Sequence, residues 1–126
     1  MTTTTALTPA QMADRTGVSI DTLRYYEREG LLTNVDRATS GHRRYSIDDV
    51  LWVEVLRCLR ETGMSIDQLR HYCELGAQGD KSKPERMQLL LDHRAVVEQQ
   101  IAERHEALRL IDHKLSLYGD DKETGT

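Results

Sequence analysis

The fold is decided by residues 8–32, TPAQMADRTGVSIDTLRYYEREGLL, which predict two short helices separated by a tight turn. Residues 8–11, Thr-Pro-Ala-Gln, have the spacing of a capping box and place proline at the first helical position. Gly17 is typical of the end of the first helix. Ser19 is typical of the N-cap of the second helix, which stops at Gly30. Two helices joined by a short glycine-containing turn predict a helix-turn-helix.

The two predicted helices have distinct apolar and polar faces. At about 100° per residue, Thr22 and Tyr25 lie away from the apolar side chains of the second helix. The positions that we expect to face the core are Met12, Val18, Ile20, Leu23, Leu31 and Leu32. The outer face of the second helix is therefore free to meet another molecule.

A hairpin and two further helices follow in the prediction. Residues 33–45 have no helical period and read as strand, turn, strand, which is typical of a small β-hairpin, or wing. Ser46 predicts the N-cap of a third helix to about Thr62, and Ser65 that of a fourth to about Leu75. The apolar positions of the third helix are Ile47, Val50, Leu51, Val55, Leu56 and Leu59.

The last predicted helix is long enough to require a partner. It follows a linker at residues 76–82, covers residues 83–118, and precedes a tail at residues 119–126 that begins with glycine. Counted from Met87, apolar residues fill eight of its ten heptad a and d positions. A second copy of the chain is the simplest partner for this stripe. The alternative is that the helix folds back on its own domain.

Composition limits the class of protein. The 126 residues are about one domain's worth, and 17 Lys plus Arg against 21 Asp plus Glu give a net charge of −4. No apolar run reaches the roughly 20 residues that a membrane span needs, and the N-terminus does not resemble a secretory signal. Cys58 and Cys73 are too few for a disulfide framework, so we expect a reducing cytoplasm and no membrane partner.

The charge is unevenly distributed along the chain. The segment from Arg37 to Tyr45 contains three arginines and no acid. Because a phosphate backbone responds to local charge, the overall acidity does not exclude nucleic acid. In contrast, the sequence has no metal-ligand cluster, no glycine-rich phosphate loop and no nucleophile with a base at meaningful spacing, so we expect neither an enzyme nor a cofactor.

Four separated segments carry a family resemblance. They are VSIDTLRYYE at 18–27, GLL at 30–32, SGHRRY at 40–45 and GMSI at 63–66, and a long C-terminal helix follows them. In this order they resemble the MerR family of bacterial transcription regulators, over residues 6 to about 118. The resemblance implies a mainly α fold: a winged helix-turn-helix DNA-binding domain at 6–75 and a dimerising antiparallel coiled coil at 83–118.

The resemblance also implies a mode of action. Members bind a pseudo-palindromic promoter with an overlong spacer as homodimers, and they bend and untwist it so that RNA polymerase can use both promoter elements. Such recognition depends on DNA deformability as well as on base contacts. Two positions depart from the pattern: His42 stands where tyrosine is usual, and Asp21 where some members have a basic residue.

The family's DNA-contacting positions fall on the second helix and the wing. Arginine can bind phosphate or guanine, and tyrosine hydroxyls bind phosphate. The matching residues are Arg24 and Tyr26 on the helix and Arg37 and Arg43 in the wing, and we add their neighbours Thr22, Tyr25, His42 and Arg44. Two alternatives stay open: core packing for Tyr26, and an ion pair with Glu27 for Arg24.

Cys58 is the candidate sensor residue. Residues 56–65, LRCLRETGMS, resemble the NmlR/AdhR branch, whose members respond to aldehydes and thiol stress and have one cysteine at this position as their proposed sensor. Flanking Arg57 and Arg60 could lower the pKa of the thiol and favour reaction with electrophiles. The alternative is that Cys58 packs as a small hydrophobic residue, which is the interpretation that we favour for Cys73.

Two other functions remain open. A metal-responsive regulator of the same family would place cysteines where residues 79–82 and the tail have none, and His71 and Cys73 lie on opposite faces of their helix. A coiled-coil adaptor with a vestigial helix-turn-helix would have no need of Arg24, Arg37 and Arg43.

Overall fold

The computed structural model describes residues 6–33, 35–37, 41 and 43–123, with the backbone alone at 36 and 120–123. The chain divides into two compact units, Met1–Arg86 and Met87–Thr126. The elements in chain order are α1 (Pro9–Thr16), α2 (Ile20–Arg28), β1 (Asp36–Arg37), β2 (Arg43–Arg44), α3 (Ile47–Glu61), α4 (Ile66–Ala77), a short 3-10 helix (Gly79–Ser82) and α5 (Lys83–Glu123). The mainly α class, with a helix-turn-helix and a long C-terminal helix, is confirmed.

The helix starts lie where the sequence predicts them. Thr8, Ser46 and Ser65 each cap a helix through a reciprocal capping box, and Ser19 accepts a hydrogen bond from the Thr22 amide. Each cap satisfies amide groups that have no partner within the helix. These four contacts therefore fix the entry points of α1 to α4.

The turn between α1 and α2 depends on Gly17. Its φ of +75° is left-handed, and its amide donates to the Ala13 carbonyl. From α3, Nη1 of Arg57 donates to the carbonyl of Thr16 over 2.8 Å. The arginine thus braces the turn that sets the direction of α2.

One core joins α1 to α4 in the first unit. Met12, Leu23, Val53, Leu56 and Leu69 are fully buried at its centre. Of the positions expected to face this core, Met12, Val18, Leu23, Leu31 and Leu32 are buried, and Ile20 is half-buried. At about 25 cal/mol per Å² of apolar surface, this core supplies most of the stability of the unit.

The wing is confirmed as a short hairpin. β1 and β2 pair antiparallel, with Arg37 opposite Arg43. Directly after β2, buried Tyr45 exchanges two backbone hydrogen bonds, of 2.8 and 2.9 Å, with Leu7. The segment before α1 therefore holds the base of the wing.

Helix α3 has a second apolar face that is not buried in the core. Val50, Leu56 and Leu59 are buried, but Ile47, Leu51 and Val55 are 39, 58 and 44% exposed. Residues i, i+4 and i+8 lie along one side of a helix, so these three form a continuous exposed stripe. The six apolar positions named from the sequence therefore belong to two different faces of α3.

The predicted linker at residues 76–82 is ordered helix rather than irregular chain. Helix α4 continues to Ala77, and residues 79–82 form a 3-10 turn. Ser82 is buried; its hydroxyl contacts the carbonyls of Leu75 and Gly79 and accepts from Nε of Arg86 over 3.0 Å. Glycine-rich composition predicted a loop, but these contacts stabilise the turn.

Helix α5 passes through Gly119, where the sequence analysis ended it, and continues to Glu123. A mid-helix glycine costs only about 1 kcal/mol, which the helical hydrogen bonds around it can offset. Within the second unit, six apolar a and d side chains are more than half exposed: Met87, Ile101, Leu108, Ile111, Leu115 and Tyr118. None of the helices within the described residues is both long and apolar enough to cross a membrane.

Candidate nucleic-acid interface

Helix α2 presents a polar face because its apolar residues are committed to the core. Leu23 is fully buried, whereas Thr22 is half-buried and Arg24 is exposed. The Thr22 hydroxyl accepts a hydrogen bond from the Ser19 hydroxyl over 2.9 Å, which joins it to the N-cap. The start of α2 is therefore a rigid polar edge with one exposed cation beside it.

Tyr26 belongs to the core rather than to this polar face. It is 5% exposed, and burial raises the pKa of its hydroxyl. Three residues after Leu23, it lies on the same side of α2 as that residue. We therefore remove Tyr26 from the candidate contacts, in favour of the packing alternative that the sequence left open.

Arg24 and Tyr25 remain available at the surface. The ion pair of Arg24 with Glu27, which was the alternative left open by the sequence, is absent because both Glu27 oxygens are bonded to other groups, and no other described residue forms an ion pair with Arg24. The half-buried Tyr25 ring lies 5.9 Å from the guanidinium carbon of Arg28, which is within cation–π range. This edge of α2 thus combines cations with an aromatic face.

The wing adds three arginines with different surroundings. Arg37 is exposed, and its Nη1 donates to the Gly41 carbonyl over 3.1 Å. Arg43 and Arg44 are half-buried and, as neighbours on β2, lie on opposite faces of the hairpin. His42, also among the expected contacts, lies outside the described residues.

A network that the sequence analysis missed connects α2 to the wing. Oε1 of Glu27 accepts from Nε of Arg43 over 2.7 Å, and Oε2 accepts from the Tyr45 hydroxyl over 3.0 Å. The bond to Glu27 raises the pKa of Arg43, while burial and the same carboxylate raise the pKa of Tyr45 to about 12. The sequence signal for this network was an acidic residue, Glu27, among the basic candidate contacts. Its two partners lie 16 and 18 residues further along the chain, so the sequence pattern did not identify them.

Cys58 is exposed on α3, beside a cleft of about 470 Å³ between α3 and the end of α1. The flanking arginines are bonded elsewhere. Nε of Arg57 donates to Glu61 over 2.9 Å, and Nη1 of Arg60 donates to the Met64 carbonyl over 2.9 Å. These bonds weaken the expectation that the two arginines activate the Cys58 thiol. The alternative of Cys58 as a buried packing residue does not hold either, because the side chain is exposed.

Cys73 has the surroundings of a packing residue. It is half-buried against the core, its thiol donates to the Leu31 carbonyl over 3.8 Å, and burial raises its pKa. It borders a groove of about 710 Å³ where the rings of Trp52 and Tyr72 stack at 5.8 Å. Across the described ranges, no group of three or more His, Cys, Asp or Glu side chains is placed to hold a metal ion.

Comparisons with known proteins agree with this geometry. The sequence matches two family profiles, "MerR HTH family regulatory protein" over residues 7–75 and "MerR, DNA binding" over residues 50–114. An uncharacterised HTH-type transcriptional regulator of Haemophilus influenzae is 39% identical over 94% of this chain and 88% of its own length. The regulator AdhR of Bacillus subtilis is 42% identical over 68% of this chain, and the match spans 61% of AdhR.

Among solved structures, the chain is similar to HiNmlR, described as a MerR family regulator lacking the sensor domain, bound to promoter DNA. The TM-score is 0.84 and the identity 38%, over 97% of both chains. A MerR family regulator of Listeria monocytogenes gives a TM-score of 0.81 at 35% identity, over 89% of this chain and 85% of its own. These likenesses extend over both compact units rather than over the helix-turn-helix alone.

Proposed function

Because the chain belongs to the MerR family of DNA-binding transcription regulators, we propose that it is a homodimeric stress regulator. It binds promoter DNA through α2 and the wing, distorts the DNA, and responds to electrophiles through Cys58. The observation that carries this proposal is that exposed arginines of α2 and the wing lie in a chain whose net charge is −4. Charge concentrated on one region of an acidic protein points to a polyanion as its partner.

The proposed DNA-binding surface consists of the polar edge of α2 and the wing. Arg24 and Arg37 are exposed and free to contact phosphate, and Thr22 lies at the helix start, where positive backbone charge favours phosphate. The neighbouring contacts that we retain are Tyr25, His42, Arg43 and Arg44. HiNmlR, which is similar along nearly the whole chain, was solved bound to promoter DNA, and this supports the same surface here.

Dimerisation is supported by α5. Its exposed a and d side chains would cost solvation free energy in a monomer, and a second copy of the same helix offers a matching stripe. A dimer also fits the pseudo-palindromic site that family resemblance implies, since two-fold protein symmetry matches paired half-sites. We propose an antiparallel coiled coil over residues 83–118, beginning after the DNA-binding domain at 6–75.

Cys58 lies within the exposed stripe of α3. Eleven residues after Ile47, it falls on the same side of the helix as Leu51 and Val55. We propose that the coil of the second subunit packs on Leu51 and Val55 of this stripe, beside Cys58, whose thiol stays accessible. The Cys58 thiol loses its proton as the sulfur forms a bond to an aldehyde carbonyl carbon, and the carbonyl π electron pair moves to oxygen, which takes up a proton. The resulting hemithioacetal is polar and bulky, so it shifts this packing and the separation of the two α2 helices.

The changed separation alters the DNA. Bending or untwisting an overlong spacer costs deformation energy that the dimer supplies through its contacts, and RNA polymerase then engages both promoter elements. This step requires the protein to act in the compartment that holds the promoter, which for a bacterial cell is the cytoplasm. It needs no metal or cofactor.

DNA binding is tested by fluorescence anisotropy with the duplex upstream of the gene, over a series of NaCl concentrations. We expect Arg24→Ala/Arg37→Ala/Arg43→Ala to reduce the salt slope of log K by about 5, since the dimer loses three phosphate contacts in each subunit and each contact removes roughly 0.9. The control is Lys81→Ala/Arg109→Ala/Lys114→Ala, which removes equal charge outside α2 and the wing and keeps the slope. If the triple variant at Arg24, Arg37 and Arg43 binds the duplex as the wild type does, the result favours the coiled-coil adaptor alternative.

Sensing is tested by transcription from that promoter with formaldehyde as the probe. Cys58→Ser should abolish induction, whereas Cys73→Ser, which changes the half-buried thiol, should preserve it. Unchanged induction in Cys58→Ser would reject the sensor role. Induction that a chelator removes in the wild type would instead favour the metal-responsive alternative.

A further inference from the structure

The carboxylate of Glu27 joins three parts of the DNA-binding unit. Glu27 lies near the end of α2, its Oε1 accepts from Nε of Arg43 on β2, and its Oε2 accepts from the hydroxyl of Tyr45. Both oxygens are thus engaged by different donors. The side chains of Glu27 and Arg43 are only 17 and 27% exposed, so water competes weakly for this pair.

Tyr45 gives the network a fixed end. It is 1% exposed, and its backbone is bonded on both sides to Leu7 ahead of α1. With its pKa raised to about 12, the hydroxyl stays protonated and remains a donor at every physiological pH. The Tyr45 bond therefore orients the Glu27 carboxylate, and the carboxylate in turn orients Arg43.

Only one donor of the Arg43 guanidinium, Nε, is engaged by Glu27. A guanidinium has further N–H donors on Nη1 and Nη2 in a fixed planar fork. A long side chain held in this way loses little additional freedom when it contacts a phosphate. Arg43 is therefore pre-arranged for a partner that approaches the wing.

We propose that Glu27 is a positioning residue that presents Arg43 to the DNA backbone and fixes the wing against α2. This inference rests on the proposed role of Arg43 as a DNA contact. Glu27 is an acid close to the proposed binding site of a polyanion, so charge and positioning predict opposite effects of neutralising it. If charge alone mattered, neutralising Glu27 would strengthen DNA binding; if positioning matters, neutralising it weakens DNA binding.

The test compares Glu27→Gln with Asp21→Asn by anisotropy on the promoter duplex. Both variants remove one negative charge from α2, but Asp21 is exposed and has no bond to a described side chain. We expect Glu27→Gln to bind about 10- to 100-fold more weakly, since releasing one immobilised long side chain costs about 3- to 10-fold and the dimer has one in each subunit. Asp21→Asn should bind equally or more tightly. Equal or tighter binding by Glu27→Gln would overturn the inference.

A double-mutant cycle separates positioning from a general structural effect. In an Arg43→Ala background, Glu27→Gln should cause little further loss, because the residue that it positions is gone. A full additional loss would overturn positioning through Arg43. Arg43→Lys offers a second test if Glu27→Gln folds poorly. Lysine keeps the charge but lacks Nε, so we expect a similar loss of about 10- to 100-fold for the dimer. Unchanged affinity would contradict the inference.

The same series shows which proposal has failed. If Arg43→Ala leaves affinity and salt slope unchanged, Arg43 is not a DNA contact, and the site assignment in the proposed function is wrong at that residue. If Arg43→Ala lowers the salt slope by about 1.8, which is roughly 0.9 for the contact in each subunit, while Glu27→Gln has no effect, the DNA contact stands and the positioning role fails.

Discussion

At the scale of single residues, Tyr45 shows how burial and one hydrogen bond change a side chain's chemistry. Its hydroxyl is removed from water and directed at a carboxylate, so ionising it would place two negative charges side by side. Desolvation and this repulsion both raise its pKa. The hydroxyl is therefore a permanent donor, on which the arrangement of Glu27 depends.

The raised pKa of Tyr45 predicts a loss of stability in alkali. Because its folded-state pKa of about 12 exceeds the unfolded value, the unfolded chain releases this proton first as pH rises. The contribution of Tyr45 to the free energy of unfolding should therefore be constant below about pH 10 and fall above it, by up to about 1.4 kcal/mol per pH unit. Urea unfolding at several pH values measures this.

Tyr45→Phe is the control for this effect. It lacks the ionisable hydroxyl, so the part of the alkaline loss that is due to Tyr45 should disappear, while the slope from Tyr26, whose pKa is also raised, remains. An identical pH profile in Tyr45→Phe and wild type would show that the hydroxyl at position 45 titrates normally.

The two cysteines should differ in reactivity. Cys58 is exposed, whereas burial and neighbouring Glu74 raise the pKa of half-buried Cys73. At pH 8 we expect iodoacetamide to alkylate Cys58 several-fold faster, since the thiolate is the reactive form. Mass spectrometry of peptides at timed intervals measures both rates. Faster labelling of Cys73 would contradict this and would weaken the assignment of Cys58 as the sensor.

At the scale of elements, the turn between α1 and α2 is set by a glycine and by an arginine from another helix. Gly17 and Gly30 both adopt left-handed backbone conformations, with φ of +75° and +77°. Their surroundings differ, because a Cβ at Gly17 would collide with the guanidinium of Arg57, while a Cβ at Gly30 would meet open space. The same substitution therefore tests backbone strain with and without a tertiary contact.

Gly17→Ala should destabilise the first unit more than Gly30→Ala does. Both pay about 1–2 kcal/mol for a left-handed alanine. Gly17→Ala should lose a further 1 kcal/mol or so because Arg57 must leave the Thr16 carbonyl. Thermal and urea unfolding measure the difference. When Arg57 is also replaced by alanine, Gly17→Ala and Gly30→Ala should destabilise the first unit by the same amount. If Gly17→Ala still destabilises it more, the Arg57 contact is not the cause of the difference.

At the scale of the whole molecule, the exposed stripe of α5 is the contact that we propose for the dimer. Leu108 occupies an a position and Leu110 a c position of the heptad, and both are more than half exposed in one chain. Leu108→Asp should convert the dimer to a monomer at micromolar concentration, because a buried unpaired charge opposes the coil. Leu110→Asp is the matched control, since it makes the same change in the same helix.

Size-exclusion chromatography with light scattering gives the mass of each variant. We also expect Leu108→Asp to lose most promoter affinity, because single half-sites bind weakly, while Leu110→Asp should retain it. A wild-type protein that is monomeric under these conditions would contradict the proposed dimer and, with it, the sensing mechanism.

The sequence by itself determined the local features: the helix starts, the glycine turn, the hairpin and the core positions of α1 and α2. Caps and turns involve residues at most a few positions apart, and Thr8, Ser46 and Ser65 each bond within their own first turn. The apolar positions of α1 and α2 follow helical periodicity, so Met12 and Leu23 were predictable. The exposed candidates Arg24 and Arg37 were likewise found from the sequence, although their role in binding stays a prediction.

Only the tertiary structure decided which groups meet across the chain. Glu27 pairs with Arg43 and Tyr45 rather than with nearby Arg24, because folding brings β2 against α2 and both oxygens find better-placed donors. Periodicity cannot tell which of two apolar faces of α3 is covered, so Leu51 proved exposed and Leu56 buried. Local pattern records what a residue prefers, whereas burial and pairing depend on neighbours that are distant in sequence and are fixed only when the elements pack.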